Sequence, residues 1–300
     1  MPRALGSRAK ASSSPTLLGE EAIRKRRLHA ALTGIALFVA GSAVAADCRD
    51  GWFCVDTVSQ SGNVELRARN LREFPITYTL RIRTRDLRVD GPKTVTSTLA
   101  PNQSEQIMVL SGGDGRKDAD YRYSYDWTVG DKDAVHDDNH LYSLPYTSGK
   151  SYRIIQGYGS RFSHTGLEEF AIDVDMKIGT PVHAARAGVV ARVEESNSKG
   201  CWEDGCGRYA NYVVILHSDG TTGEYYHLMK DGSLMEVGDS VSQGQKIGYS
   251  GNTGHTTMPH LHFAVYRASE WGNTQSIPVR FQSADGIIDR PRRGGRYQAL

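Results

Sequence analysis

Two-residue alternation of apolar and polar side chains constrains this 300-residue chain more than any other feature. Ile76, Tyr78, Leu80 and Ile82 alternate with Thr77, Thr79, Arg81 and Arg83. Tyr121, Tyr123, Tyr125, Trp127 and Val129 alternate in the same way with Arg122, Ser124, Asp126 and Thr128. A period of two puts one set of side chains on a buried face and the other in water, which describes a strand and not a helix. Val64-Glu65-Leu66-Arg67-Ala68 and Ile107-Met108-Val109-Leu110 predict further strands, with turns at Pro101-Asn102 and Gly112-Gly113-Asp114-Gly115. Residues 47–148 are therefore expected to form an immunoglobulin-like β-sandwich. After an expected linker over residues 144–150, the texture changes to short Val-rich strands separated by Gly. Gly188-Val189-Val190-Ala191-Arg192-Val193 and Tyr212-Val213-Val214-Ile215-Leu216 are examples, and Ser218-Asp219-Gly220 signals a hairpin turn. No long stretch has helical periodicity, so the fold class is mainly β, with residues 149–300 as a second domain.

The first 46 residues read differently. Arg24-Lys25-Arg26-Arg27 precedes an apolar run of small residues from Ala30 to Ala46, and Ala43-Val44-Ala45 supplies a small-x-small cleavage pattern. This is the layout of a secretory signal peptide over 1–46, cut near Ala45/Ala46. It predicts export to the periplasm or the extracellular space, with membrane contact only through this segment during export. The segment holds seven Lys/Arg and two Asp/Glu, so the whole-chain charge of +2 becomes −3 without it. No basic excess is left to suggest a nucleic-acid partner. Arg290, Arg292, Arg293 and Arg296 form a local cluster that reads as solvated surface.

Four cysteines remain, as two close pairs. Proximity and an exported context predict disulfides Cys48–Cys54 and Cys201–Cys206. A metal site of four thiolates is the competing arrangement, but the gap between Cys48 and Cys54 is long for one. In the first domain, His136-Asp137-Asp138-Asn139-His140 reads as a polar loop.

The chemistry-bearing residues fall in the second half. His260 and His262 lie two apart at the start of an apolar run, so two imidazoles point into one space. His227, in Glu224-Tyr225-Tyr226-His227-Leu228, and His164, in Phe162-Ser163-His164-Thr165-Gly166, are further candidates. Asp173 sits in Phe170-Ala171-Ile172-Asp173-Val174, where a carboxylate needs a partner because burying it unpaired is costly. A metal ion would supply one. His217 and His255 read as structural or groove-lining.

These pieces resemble the lysostaphin-type zinc metallopeptidases, which cleave peptidoglycan peptides. The resemblance rests on His164 and Asp173, then Gly179-Thr180-Pro181-Val182, Tyr225-Tyr226-His227-Leu228, Gly251-Asn252-Thr253-Gly254 and His260-Leu261-His262-Phe263, in that order. It implies an antiparallel-β catalytic domain over 149–300 with an open groove. It implies zinc (Zn2+) held by His164, Asp173 and His262, with His227 and His260 unligated and catalytic. The fourth position of such a zinc stays open, so bound water becomes a usable nucleophile. There is no His-Glu-x-x-His motif, so His227 and His260 are the natural acid–base and stabilising groups. One departure stands out. The family gap from the first His to the Asp is four residues, whereas His164 and Asp173 are nine apart. Asp175 is a rival ligand, but Asp173 has the family spacing to Gly179, and the extra residues include Glu168 and Glu169. The expected function is a zinc endopeptidase acting on the stem or cross-link peptides of peptidoglycan. The alternatives are a non-catalytic envelope protein that activates other cell-wall hydrolases, and a secreted bacteriolytic peptidase.

Overall fold

The computed structural model describes residues 43–60, 62–112 and 119–300. Most of the expected signal segment lies outside the described residues. Its last residues begin a strand, Ala43–Arg49, that pairs with Phe53–Gln60. Among the described residues no helix is long and apolar enough to cross a membrane, and the helical elements are three short 3-10 turns.

The N-terminal part builds two antiparallel sheets around one core. The first runs Ala43–Arg49, Phe53–Gln60, Asn63–Asn70, Ser104–Ser111, Arg88–Asp90, and the second Thr94–Leu99, Ile76–Arg85, Asp120–Val129. The alternating residues face inward as the pattern requires: Ile76, Tyr78, Leu80 and Ile82 join Phe53, Leu66, Leu110 and Tyr125 in a buried cluster. Thr77 and Thr79 are also buried, and their hydroxyls meet those of Thr98 and Thr96 across the strand pair. Cys48 and Cys54 are direct cross-strand partners and are bridged.

The C-terminal part is organised by one nine-stranded sheet. Its order is Ser240–Val241, Gly188–Glu194, Tyr212–Leu216, Thr222–Tyr226, Leu261–Ala268, Ile172–Val174, Ser151–Gln156, Arg296–Gln298, with Thr274–Ile277 also paired to Leu261–Ala268. Leu261, Phe263 and Val265 point into the largest core, with Val213, Ile215, Tyr225, Ile172 and Val174. His262, Ala264 and Tyr266 point to the opposite face, as do Glu224 and Tyr226 on the next strand, because alternation sends neighbours to opposite sides.

The structure differs from the sequence reading at the expected linker. Tyr142, Leu144 and Tyr146 are buried in the large C-terminal core. Leu141–Ser143 forms a parallel pair with Arg280–Ser283. Pro145 and the polar residues after it suggested loop, but the aromatic and aliphatic side chains between them find an apolar site contributed from far along the chain. The two parts also share a cluster: Phe74 and Val129 from the first pack with Ala191, Ala210, Tyr212, Val214 and Tyr226 from the second. Trp52 and Trp127 stack at 5.5 Å beside that cluster, and the Arg192 guanidinium lies over both rings. The N-terminal part thus rests on the same sheet face that carries His262.

Candidate metal centre and its histidines

Three strands and two loops bring the site together. Asp173 and His262 are direct cross-strand partners on Ile172–Val174 and Leu261–Ala268, and Tyr226 is the partner of His262 on its other side. His164 arrives from the loop that precedes the 3-10 turn Gly166–Glu168. His164, Asp173 and His262 each offer a ligand atom, these atoms lie within 4.8 Å of one another, and all three residues are buried. Asp175 lies outside this group and forms an exposed ion pair with Arg153 at 3.2 Å. The extra residues after His164 therefore do not displace it from the Asp173 carboxylate.

The donor atoms are held in defined orientations. Asp173 Oδ1 is 3.2 Å from His164 Nε2, 2.9 Å from His262 Nδ1 and 3.7 Å from His260 Nε2. Its other oxygen, Oδ2, accepts a hydrogen bond from the Gln156 amide at 2.6 Å. Gln156 is fixed in turn by Ser163, whose hydroxyl accepts from the same amide at 2.8 Å. One carboxylate oxygen is thus tied down and the other faces the imidazoles. A backbone carbonyl can only accept, so each imidazole nitrogen bonded to one must carry a proton. His227 Nδ1 donates to Thr253 O at 2.7 Å, His260 Nδ1 to Met258 O at 2.8 Å, and His164 Nδ1 points at Gly157 O at 3.4 Å. The Nε2 atoms of these three residues are left for chemistry. His227 and His260 face each other with ring centroids 4.5 Å apart, and His227 lies 6.0 Å from His262. His227 follows the strand Thr222–Tyr226 with φ at +66°, a left-handed backbone that costs a non-glycine residue energy.

Electrostatics give the cluster a demand for positive charge. Burial works to raise the Asp173 carboxyl, but the neighbouring His164, His262 and His260 outweigh it and hold it well below the usual range. Burial lowers His262, yet its bonds to Asp173 and Glu168 win and lift it to about 10. A proton on His262 thus does what a bound cation would do, neutralising charge between two carboxylates. Burial holds His227 well below its ordinary value, and the charge of His260 and His262 adds to this, so it is neutral at pH 7. Two imidazole nitrogens and one singly available carboxylate oxygen, converging in a buried space that favours a cation, fit a three-ligand metal site with a further position for water or substrate.

The rim of the site holds residues that sequence reasoning did not join. Phe162, Trp202 and His255 come from three separate segments of the chain. Trp202 stacks on Phe162 at 5.2 Å and on His255 at 4.1 Å, and both Phe162 and Trp202 are exposed. Trp202 sits inside the Cys201–Cys206 disulfide loop, whose first strand pairs with Gly254–His255. Thr256 N–H donates to Cys201 O at 2.9 Å, and Thr256 Oγ1 lies 3.4 Å from His260 Nδ1. The bridged loop is thereby tied to the loop that carries His260. His217 is placed elsewhere: it is buried, with Nδ1 donating to Ala187 O at 3.0 Å. His136 and His140 pack around Tyr142, also away from this centre.

Residues 168–276 match the sequence family described as Peptidase family M23, a span that includes Asp173, His227, His260 and His262. The chain is 33% identical over 138 residues to the glycyl-glycine endopeptidase ALE-1 of Staphylococcus capitis, covering 45% of this chain and 35% of that protein. It is 34% identical over 138 residues to lysostaphin of Staphylococcus simulans, covering 45% of this chain and 26% of that one. It is 37% identical over 124 residues to the peptidoglycan DD-endopeptidase ShyA of Vibrio cholerae, covering 40% and 26% respectively. The match thus spans only about a quarter to a third of the length of these curated relatives.

Proposed function

We propose that this chain, whose residues 168–276 match Peptidase family M23, is a zinc-dependent endopeptidase hydrolysing stem or cross-link peptide bonds of peptidoglycan. The observation that carries this reading is the convergence of His164, Asp173 and His262, with the facing imidazoles of His227 and His260 beside them. The relatives named as glycyl-glycine and peptidoglycan endopeptidases support the substrate class. The two disulfides are compatible with an exported protein, with the signal segment over 1–46 removed.

His164 Nε2, Asp173 Oδ1 and His262 Nδ1 would hold the zinc. When bound, the ion supplies a Lewis acid for the scissile carbonyl and lowers the pKa of a water from 15.7 towards about 7. The protein's own groups do the rest. Gln156 keeps Asp173 single-handed, so that one oxygen serves the site and the other stays in the scaffold. His227 is anchored by Thr253, is neutral at pH 7, and presents Nε2 to the reacting centre as a proton acceptor. His260, anchored by Met258, presents its Nε2 from the adjacent position, where it donates to or accepts from an oxygen of the substrate. The exposed stack of Phe162 and Trp202 gives an extended peptide something flat and apolar to lie against.

The test is incubation of purified cell wall with metal-loaded protein, followed by a search for new amino termini. The wild type should release them and leave the glycan strands intact. His262→Ala should lose most of its metal, whereas His260→Ala should keep metal and lose activity. A wild type that releases no termini, yet stimulates another wall hydrolase with or without zinc, would establish the non-catalytic partner role instead.

A further inference from the structure

Three of the four clustered histidines orient their rings with backbone carbonyls, and His262 is the exception. Its outward nitrogen, Nε2, lies 3.1 Å from the Tyr266 hydroxyl, and that hydroxyl donates to Glu168 Oε2. Glu168 Oε2 is itself 3.6 Å from His262 Nε2. The direction of this chain is fixed by its far end. An ionised carboxylate only accepts, so the Tyr266 proton goes to Glu168, and the Tyr266 oxygen is left to accept from His262 Nε2–H. With Nε2 keeping that proton, a metal can replace only the proton on Nδ1, the atom 2.9 Å from Asp173 Oδ1, and the lone pair so freed is the one that would bind it. We propose that Glu168, acting through Tyr266, is a positioning residue that fixes the tautomer and rotation of His262 so that Nδ1 is the metal-ligating nitrogen.

The origin of Glu168 makes this a property of this chain's own first loop. The nine-residue separation of His164 and Asp173 contains the 3-10 turn Gly166–Glu168. That turn is pinned against the strand Thr274–Ile277: Gln275 donates to Gly166 O at 3.3 Å, and Phe170 N–H donates to Ser276 Oγ at 3.0 Å. Since Thr274–Ile277 pairs with Leu261–Ala268, the turn is carried by the same sheet that carries His262 and Tyr266. Tyr266 is four residues after His262, on the same face of its strand. The added residues deliver a carboxylate to the back of a ligand and leave the ligand set itself unchanged, since Glu168 is not among the three groups that converge. Partners of this kind orient metal-binding imidazoles and strengthen them as donors, and losing one typically costs about 10–100-fold in metal affinity.

The proposal rests on His262 being a ligand, and the experiment separates the two. Zinc affinity of the full chain is measured by competition with a chromophoric chelator, with the thermal melt of the metal-free protein followed in parallel. Glu168→Ala and Tyr266→Phe should each weaken zinc binding about 10–100-fold, because each breaks the relay. Glu168→Gln keeps an oxygen acceptor for the tyrosine and should recover most of the affinity. The cobalt-substituted Glu168→Ala and Tyr266→Phe proteins should show altered visible absorption, which a purely structural effect at a distance would not produce. Folded Tyr266→Phe and Glu168→Ala proteins that bind zinc within about twofold of wild type would overturn the proposal, as would a Glu168→Gln protein as weak as Glu168→Ala. If Glu168→Ala does not fold, Tyr266→Phe and Glu168→Gln decide the matter. If His262→Ala leaves zinc affinity unchanged, the ligand assignment fails, and the relay with it.

Discussion

The two faces of the large C-terminal sheet both bury side chains, with opposite chemistry. Along Leu261–Ala268, one face presents Leu261, Phe263 and Val265 to a core of aliphatic and aromatic residues. The other presents His262 and Tyr266, beside Glu224, Tyr226, Asp173 and His227, all buried. The apolar face needs only shape and area. On the polar face each buried group needs a partner, and the partners form chains: Gln156 on Asp173, Tyr266 and Glu168 on His262, Thr253 on His227, and Tyr226 with Thr222 on Glu224. The difference teaches where stability ends and chemistry begins in this molecule, since substitutions on the two faces should separate folding from metal binding.

The sharpest break is expected at Asp173. Asp173→Ala removes the one carboxylate shared by three imidazoles, and should abolish both stoichiometric zinc and hydrolysis. Asp175→Ala, two residues on but paired with Arg153 at the surface, should keep both. Metal analysis and wall digestion on the two variants check this, and the reverse ranking would move the ligand to Asp175. Next comes His227→Ala, which should retain zinc and lose activity by about 10²–10⁴-fold. A fully active His227→Ala protein would remove that residue from the mechanism. On the other face, Phe263→Ala should cost about 3–5 kcal/mol of stability through lost burial and a residual cavity, while folded molecules still bind one zinc. Denaturant unfolding and metal content measured together sharpen the contrast, and zinc lost in proportion to no unfolding would blur it.

A fourth expectation concerns pH, away from the metal. Burial lowers His217 from its ordinary 6.5 to about 4, so the folded protein holds it neutral. The unfolded chain then binds the extra proton first as the solution is acidified. The stabilisation is complete above about pH 6.5 and is lost as pH falls towards about 4, amounting to about 3 kcal/mol. His217→Gln, which can still donate to the Ala187 carbonyl, should flatten that part of the stability profile. The smallest effect is expected at the rim, where Trp202→Ala removes the middle ring of an exposed stack. A raised KM of about two- to tenfold with kcat unchanged is expected, since such contacts contribute about 0.5–1.5 kcal/mol. A change confined to kcat would place Trp202 in the chemistry rather than in binding.

Much of the β architecture was legible in the chain because alternation is local. Ile76 to Ile82 and Tyr121 to Val129 announce their strands within ten residues. His260 and His262, Asp173 among apolar residues, and His227 after paired tyrosines were visible for the same reason, since each sits in a short motif. What escaped was anything whose meaning depends on a distant partner. Glu168 and Tyr266 are 98 positions apart, and neither has a local signature. Gln156 reads as an ordinary strand residue until Asp173 lies beside it. The carbonyls of Gly157, Thr253 and Met258 that set the imidazole tautomers carry no sequence signal at all. Leu144 and Tyr146 were misread as linker because their flanking proline and polar residues spoke more loudly than two apolar side chains. The short-range disulfide pairs fell on the legible side, and the aromatic stack built from three separate segments did not.

The contact between Phe74, Val129 and the strand Tyr212–Leu216 has a practical meaning for anyone dividing the molecule. A fragment beginning at residue 149, where composition changes, would strip Phe74 and Val129 from Ala191, Ala210, Tyr212 and Val214, and leave that apolar surface facing water. It would also remove Leu141–Ser143 from Arg280–Ser283, opening the edge of a three-stranded sheet to pairing with neighbouring chains. The shortened protein would carry two self-adhesive surfaces that the whole chain keeps covered, and light scattering would find it associating at concentrations where the intact protein stays dispersed.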